Sequence, residues 1–357
     1  PSGPADEVEE RPPPADQLVE WISKTDTLAI RILTALQDDG YIVLPQVLSA
    51  SECAFELDRL WGYVERVSPG VHRDAPSTWY PSSDESSAPS DPWPHSGWKS
   101  FADMFQTHQA GWLFSELRVM LAERVFERLY GMRQLHSSKE GFTFYRPHAS
   151  DGTHPIGGKP RYVCGEVSHN AGEHYDQGHA EVGLQSVQSS TCLIDQTTED
   201  ACFLCWPKSH QHHQRLTKSI WRGRSHWVPL TDAELQSLTD EYGLSPRRVP
   251  VNAGDVILWR SDLIHAAAPP LSPRHTFRAV SYTCMLPAAL TPAKVVERKA
   301  EAYKHGHTTD HLPAREYWHT SKGDEMEWKP YFGDGVAPEL TKRQAELYGL
   351  VPYGEVP

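Results

Sequence analysis

Apolar residues recur at helical spacing in three early stretches of the chain. The first, "DQLVEWISKTDTLAIRILTALQDDG", runs to Gly40, whose lack of a side chain suits a helix stop. The second, "SASECAFELDRLWGYVERV", opens on serines able to cap the free N–H groups of a helix start. The third, "GWLFSELRVMLAERVFERLYG", closes on Gly131. Between the first two lies "YIVLP", a short β-type run. The texture then changes. "EGFTFYRP", "LQSVQSSTCLID", "CFLCWP", "DVILWR" and "RAVSYTCML" are short β-type runs separated by turn residues. Helices followed by strands predict an α+β fold whose core is one antiparallel barrel or jelly roll. After Pro287 the pattern returns to helix and loop. Two late stretches, "LTDAELQSLTDEYGLSP" and "LTKRQAELYGLVP", echo each other faintly, but two copies do not make a repeat architecture.

These patterns divide the chain. Residues 1–16 are Pro- and acid-rich and predict a disordered lead-in. Residues 17–287 are expected to form a single domain with the helices packed on the strands. Residues 288–357 are expected to be an extension packed on that domain. Residues 68–98, rich in Ser, Pro and Trp, predict a long loop of the kind that often serves as a lid or binding segment.

Charge and cysteine content narrow the classes. The formal net charge of −13 argues against a general nucleic-acid binder. No apolar run reaches the roughly 20 residues that a membrane helix needs. The start carries no secretory signal pattern. Six cysteines in 357 residues do not make a disulfide framework. Cys202 and Cys205 have C-x-x-C spacing, but no second such pair exists, and on a strand they face opposite ways. The expected compartment is therefore cytoplasmic, intracellular and reducing.

"GEHYDQG" carries the first candidate chemistry. On a strand, His174 and Asp176 project to one side and Tyr175 to the other. An imidazole beside a carboxylate supplies two members of a 2-His-1-carboxylate triad, which holds Fe(II) on one face and leaves three positions open. His265, just past the apolar run of "GDVILWRSDLIHAAAPP", is the candidate third ligand. His169 and His179 lie at odd offsets from His174 and should face away. The tract "SHQHH", with His210, His212 and His213, has no adjacent carboxylate and reads as a solvated loop.

Four stretches in order make the chain resemble the phytanoyl-CoA dioxygenase family of Fe(II)/2-oxoglutarate oxygenases. They are "DDGYIVLPQVLSASE", "HYD", "TTEDACFLCWPKSH" and "GDVILWRSDLIHAAAPPLSPRHTFRAVSY". The resemblance implies a double-stranded β-helix, a cupin-like jelly roll with N-terminal helices packed on it. It implies Fe(II) at His174, Asp176 and His265, with 2-oxoglutarate and O2 as co-substrates. It also implies an arginine for the far carboxylate of 2-oxoglutarate, because a guanidinium matches a carboxylate with two parallel hydrogen bonds. Arg278, opening "RAVSY", is favoured over Arg274, because a strand holds a clamp more rigidly than a turn. Two departures bear on the substrate. Lys208 stands in "PKSH" where the family usually has glycine, and "HAAAPP" replaces "HGAGPN". Acyl-CoA is therefore not implied.

The implied function is an oxygenase that hydroxylates, or otherwise oxidises, a C–H bond of a small or medium organic substrate, with release of succinate and CO2. Two alternatives stand beside it: the same chemistry on a nucleic-acid base or other polymer, and a barrel that binds a ligand without turnover. Residues 201–231 hold Lys208, Arg222 and Arg224 and no acidic residue, with Trp221 among them. Charge runs are usually solvated faces. The sharper expectation is that these four residues recruit an anionic substrate. No membrane partner is expected, and the oligomeric state is left open.

Overall fold

The computed structural model describes residues 17–68, 70–79, 104–105, 113–147, 153–156, 159–163, 172–220, 227–268, 270–271, 276–304, 311–314 and 339–354. The expected lead-in and most of the long loop lie outside these residues.

The helical stretch at 17–40 is two helices, α1 (Gln17–Trp21) and α2 (Thr27–Asp38). The break has a local cause. Asp26 accepts hydrogen bonds from the N–H groups of Leu28 and Ala29, which starts a new helix there. Gly40 follows α2 with φ of +86°, in the left-handed region that glycine enters freely. Helix α3 (Ala50–Val67) starts with a capping box between Ser49 and Glu52. Helices α4 (Ser115–Leu121) and α5 (Glu127–Tyr130) are joined by a π-helical turn and closed by Gly131. Further along come α6 (His213–Ile220), α7 (Asp232–Tyr242), α8 (Ala293–Lys304) and α9 (Lys342–Leu347). The two echoing stretches are α7 and α9, each opened by a Thr capping box.

The strands are β1 (Tyr41–Leu44), β2 (Met104–Phe105), β3 (Leu135–Ser137), β4 (Phe142–Tyr145), β5 (Thr153–Ile156), β6 (Lys159–Val163) and β7 (His174–Tyr175). They continue as β8 (Val187–Cys192), β9 (Cys202–Cys205), β10 (Val228–Pro229), β11 (Arg247–Val249), β12 (Val256–Arg260), β13 (His265–Ala268) and β14 (Arg278–Pro287). Every described pairing between them is antiparallel. The larger sheet has the order β1-β12-β8-β14-β4-β2, with β3 also on β14; the smaller has the order β10-β7-β13-β9-β11. The fold is thus mixed helix and antiparallel sheet.

Period-two alternation along the strands sorts side chains into layers. Ile257, Trp259 and Val280 of the larger sheet pack with Phe203, Cys205 and Val249 of the smaller one, so the two sheets face each other across an inner core. Val256, Leu258 and Ala279 point the other way and bury against Leu36, Leu60, Phe114 and Leu117 of the early helices. Leu204, Ala266 and Tyr175 point outward from the smaller sheet onto Leu216, Leu235 and Leu238 of α6 and α7. Each large apolar side chain removed from water in this way contributes about 1.5–3 kcal/mol before entropy is counted. Beyond α8, Tyr348 bonds Ser115 (2.9 Å) and Tyr353 donates to the carbonyl of Leu135, tying residues 339–354 to α4 and β3.

Candidate metal centre

Strand pairing builds the centre. His174 on β7 and His265 on β13 are directly opposed Cα partners. Tyr175 faces the outer core, which turns His174 toward the inner one. Asp176 follows immediately, its backbone N–H held by the Ser261 carbonyl at 3.1 Å. The Asp176 carboxylate lies between the imidazoles, with Oδ1 3.5 Å from His174 Nε2 and Oδ2 3.3 Å from His265 Nε2. The ligand atoms of the three residues lie within 4.8 Å of one another, and among the described residues this is the His/Cys/Asp/Glu cluster able to hold a metal ion.

Both imidazoles are oriented from behind. His174 Nδ1 lies 2.7 Å from the Gly172 carbonyl and His265 Nδ1 lies 3.0 Å from the Leu263 carbonyl. A carbonyl only accepts, so each Nδ1 carries the proton and each Nε2 presents its lone pair to the centre. Burial drives the pKa of His174 down to about 4, against an opposing pull from Asp176. Its imidazole is therefore neutral at physiological pH and ready to ligate. Burial alone would raise the Asp176 pKa, but His311, His174 and His265 outweigh it and hold the carboxyl well below the usual carboxylate range. The donor set of two neutral imidazoles and one carboxylate, closed on one side, fits Fe(II).

Arg278 opens β14 as expected and is buried. It shares the face of Val280, so it points into the inner core. Its Nε donates to Gln196 Oε1 at 3.2 Å, its guanidinium lies 5.5 Å from the Tyr145 ring centroid, and its Nη1 has no hydrogen-bond partner. Ser190 Oγ, Trp259 Nε1 and Gln196 Nε2 are likewise buried without partners. Ser190 is the Cα partner of Ile257 and Trp259 is an inner-core residue, so both side chains face the same space. These four groups can all donate. Such a set fits a ligand rich in acceptor oxygens, as a dicarboxylic keto acid is.

The other expected site residues fall elsewhere or outside the described residues. Arg274, Trp221, Arg222 and Arg224 lie outside them, as does His169. Lys208 is exposed, and its backbone N–H bonds the Asp39 carbonyl behind α2. Its φ is +71°, which explains why glycine suits this position. His179 bonds Thr217 at 3.2 Å and stands outside the triad. The reading of "SHQHH" as a solvated loop is corrected. His210 and His213 are buried, their rings bonded to the carbonyls of Gln37 and Gln177, in a 3-10 turn leading into α6. The free Cys202 and Cys205 lie buried in β9.

Two neighbours of the triad were not legible beforehand. Gln188, on β8, donates Nε2 to Asp176 Oδ2 at 2.9 Å. Alternation along "VQSSTC" could have placed it on the inner face, but not against Asp176. His311 acts on the charge of Asp176 and His174 from beyond α8, and no local pattern announces it.

Residues 159–280 match the phytanoyl-CoA dioxygenase (PhyH) family, a span holding all three triad residues and Arg278. Over that span the chain is similar to the phytanoyl-CoA dioxygenase family. Iron and 2-oxoglutarate are the cofactors that this match and the donor set support. No match was found among curated protein sequences. Among solved structures, the chain is similar to the epimerase SnoN in complex with Fe3+, alpha ketoglutarate and nogalamycin RO. The two share 17% identity over 72% of this chain and 83% of SnoN, with a TM-score of 0.44. It is also similar to EctD from S. alaskensis with 2-oxoglutarate and 5-hydroxyectoine, at 16% identity over 79% and 85% of the two chains and a TM-score of 0.44. A third is the carbocyclase SnoK from nogalamycin biosynthesis, at 18% identity over 75% and 85%, with a TM-score of 0.40. No described helix is long and apolar enough to cross a membrane.

Proposed function

We propose that the protein is an Fe(II)/2-oxoglutarate-dependent oxygenase that hydroxylates a C–H bond of a small or medium organic substrate and releases succinate and CO2. The observation that carries this reading is the convergence of His174 Nε2, His265 Nε2 and the Asp176 carboxylate, with both Nδ1 atoms tied back to carbonyls. The facing sheets then read as the two halves of a double-stranded β-helix formed within residues 17–287, with residues 288–357 packed on it.

The three residues would hold the iron on one face. Iron so held supplies the redox chemistry that couples oxidative decarboxylation of 2-oxoglutarate to oxidation of the substrate. Arg278 would receive the far carboxylate, since its Nη1 faces the same inner space without a partner. Phe203 and Trp259 pack on His265, with ring centroids 6.0 and 5.3 Å from it, and keep water from that side. On the outer side the Trp227 indole, 42% exposed, lies 6.0 Å from the His174 ring. It offers an apolar wall for a substrate approaching the metal. Exposed Lys208, with Arg222, Arg224 and Trp221, remains the proposed attraction for an anionic substrate.

Succinate release tests the reading. Anaerobically iron-loaded protein is mixed with 2-oxoglutarate, O2 and fractions of a metabolite extract. Release that needs both iron and 2-oxoglutarate, rises with one fraction and disappears in Asp176→Ala supports it. No release above the iron-free control with any fraction, or full release in Asp176→Ala, would overturn it.

A further inference from the structure

We propose that Gln188 is a positioning residue for the metal centre: it ties up one carboxylate oxygen of Asp176 so that the other alone meets the metal. The inference rests on the metal-site reading above.

Gln188 lies on β8, where its Cα partners are Trp259 on β12 and Cys284 on β14. It shares the inward face of Trp259, and only 3% of it is exposed. Its Nε2 donates to Asp176 Oδ2 at 2.9 Å in a buried contact. The amide can sit only this way round, because the flipped form would press its oxygen against an acceptor-only carboxylate. Its Oε1 is buried and has no hydrogen-bond partner. An unmade buried hydrogen bond is costly, so the arrangement is held by what Nε2 does.

The chemistry gives this bond a purpose. His174, His265 and one Asp176 oxygen would hold the metal on one face and leave its remaining positions to the co-substrates. A carboxylate gripping with both oxygens would occupy one of the positions that they need. The backbone bond from Asp176 N–H to Ser261 fixes the main chain but not the carboxylate rotation. Gln188 fixes the rotation by engaging Oδ2 from the large sheet, across the inner core. Partners that orient a metal ligand from behind typically contribute about ten- to hundredfold in metal affinity.

The test is equilibrium binding of Co(II), a redox-stable stand-in for Fe(II), to the full chain and to Gln188→Leu and Gln188→Met. Both remove the donor and the unpaired oxygen together, and Met keeps the unbranched length of the side chain without adding a charge. Expected is a dissociation constant about ten- to hundredfold weaker in both variants, with the thermal unfolding of the metal-free proteins close to the parent's. A merely structural role would move the unfolding and spare the binding. If Gln188→Leu does not fold, Gln188→Met decides by the same criterion. Parent-like Co(II) binding in folded variants, within about twofold, overturns the inference while leaving the metal site standing. Failure of the parent to bind Co(II) and Fe(II) overturns the metal-site reading itself, and this inference with it.

Discussion

His174 and His265 are direct cross-strand partners between β7 and β13, with ring centroids 4.5 Å apart. One backbone register thus sets the spacing of the two candidate histidine ligands, and the turn after β7 adds Asp176. His174→Ala or His265→Ala should therefore abolish Fe(II) binding, read by anaerobic titration, while circular dichroism shows the sheet retained. His179→Ala should bind iron like the parent, because His179 contacts Thr217 instead.

Arg278 is the expected co-substrate clamp. Losing a charge-assisted hydrogen bond costs about 1.5–3 kcal/mol. Arg278→Ala should then raise the 2-oxoglutarate concentration needed for half-maximal turnover roughly ten- to hundredfold. Arg274→Ala should change it little. The reverse ranking would move the clamp to Arg274.

Glu56 supplies a pH test away from the metal. Its side chain on α3 is fully buried, neither oxygen has a hydrogen-bond partner, and Arg59 Nε stays 3.8 Å off. Burial pushes its pKa up to about 7, with Arg59 pulling the other way. A carboxyl whose folded pKa exceeds its unfolded value of 4.5 stabilises fully below pH 4.5, and that stability is lost as pH rises through about 7. Urea unfolding of the parent should therefore weaken relative to Glu56→Gln across that window, by on the order of 3 kcal/mol. A constant difference between the two proteins over the window would refute the assignment.

Backbone conformation gives a matched pair of stability tests. Lys208 bears the left-handed φ that glycine tolerates, so Lys208→Gly should stabilise the fold by up to about 1 kcal/mol. Gly254 has φ of +93°, and a Cβ there would fall 2.3 Å from the Leu48 carbonyl oxygen. Gly254→Ala should cost about 2 kcal/mol or more. Thermal unfolding checks both.

Features held by local chemistry were legible in the sequence, and those held by distant contacts were not. The Ser49 cap, the Gly131 stop and the alternation of "VILW" act over a few residues, so the chain displays them directly. The convergence of His174, Asp176 and His265 was legible because two of them share one short motif and the third follows a recognisable strand. The break at Asp26 was hidden because the same apolar spacing spans both helices. The burial of His210 and His213 was hidden because their partners, Gln37 and Gln177, come from remote segments. Gln188 reads as one more polar strand residue until β8 is laid across the inner core from Asp176.

The most direct test of the central claim is optical. Under anaerobic conditions Fe(II) and then 2-oxoglutarate are added to the parent, Asp176→Ala and Arg278→Ala, and the visible charge-transfer band of keto-acid chelation to Fe(II) is recorded. The parent should develop the band at one equivalent of iron. Asp176→Ala should fail to develop it, and Arg278→Ala should need about ten- to hundredfold more 2-oxoglutarate to do so. A parent that develops no band, or an Asp176→Ala variant indistinguishable from the parent, would contradict the account.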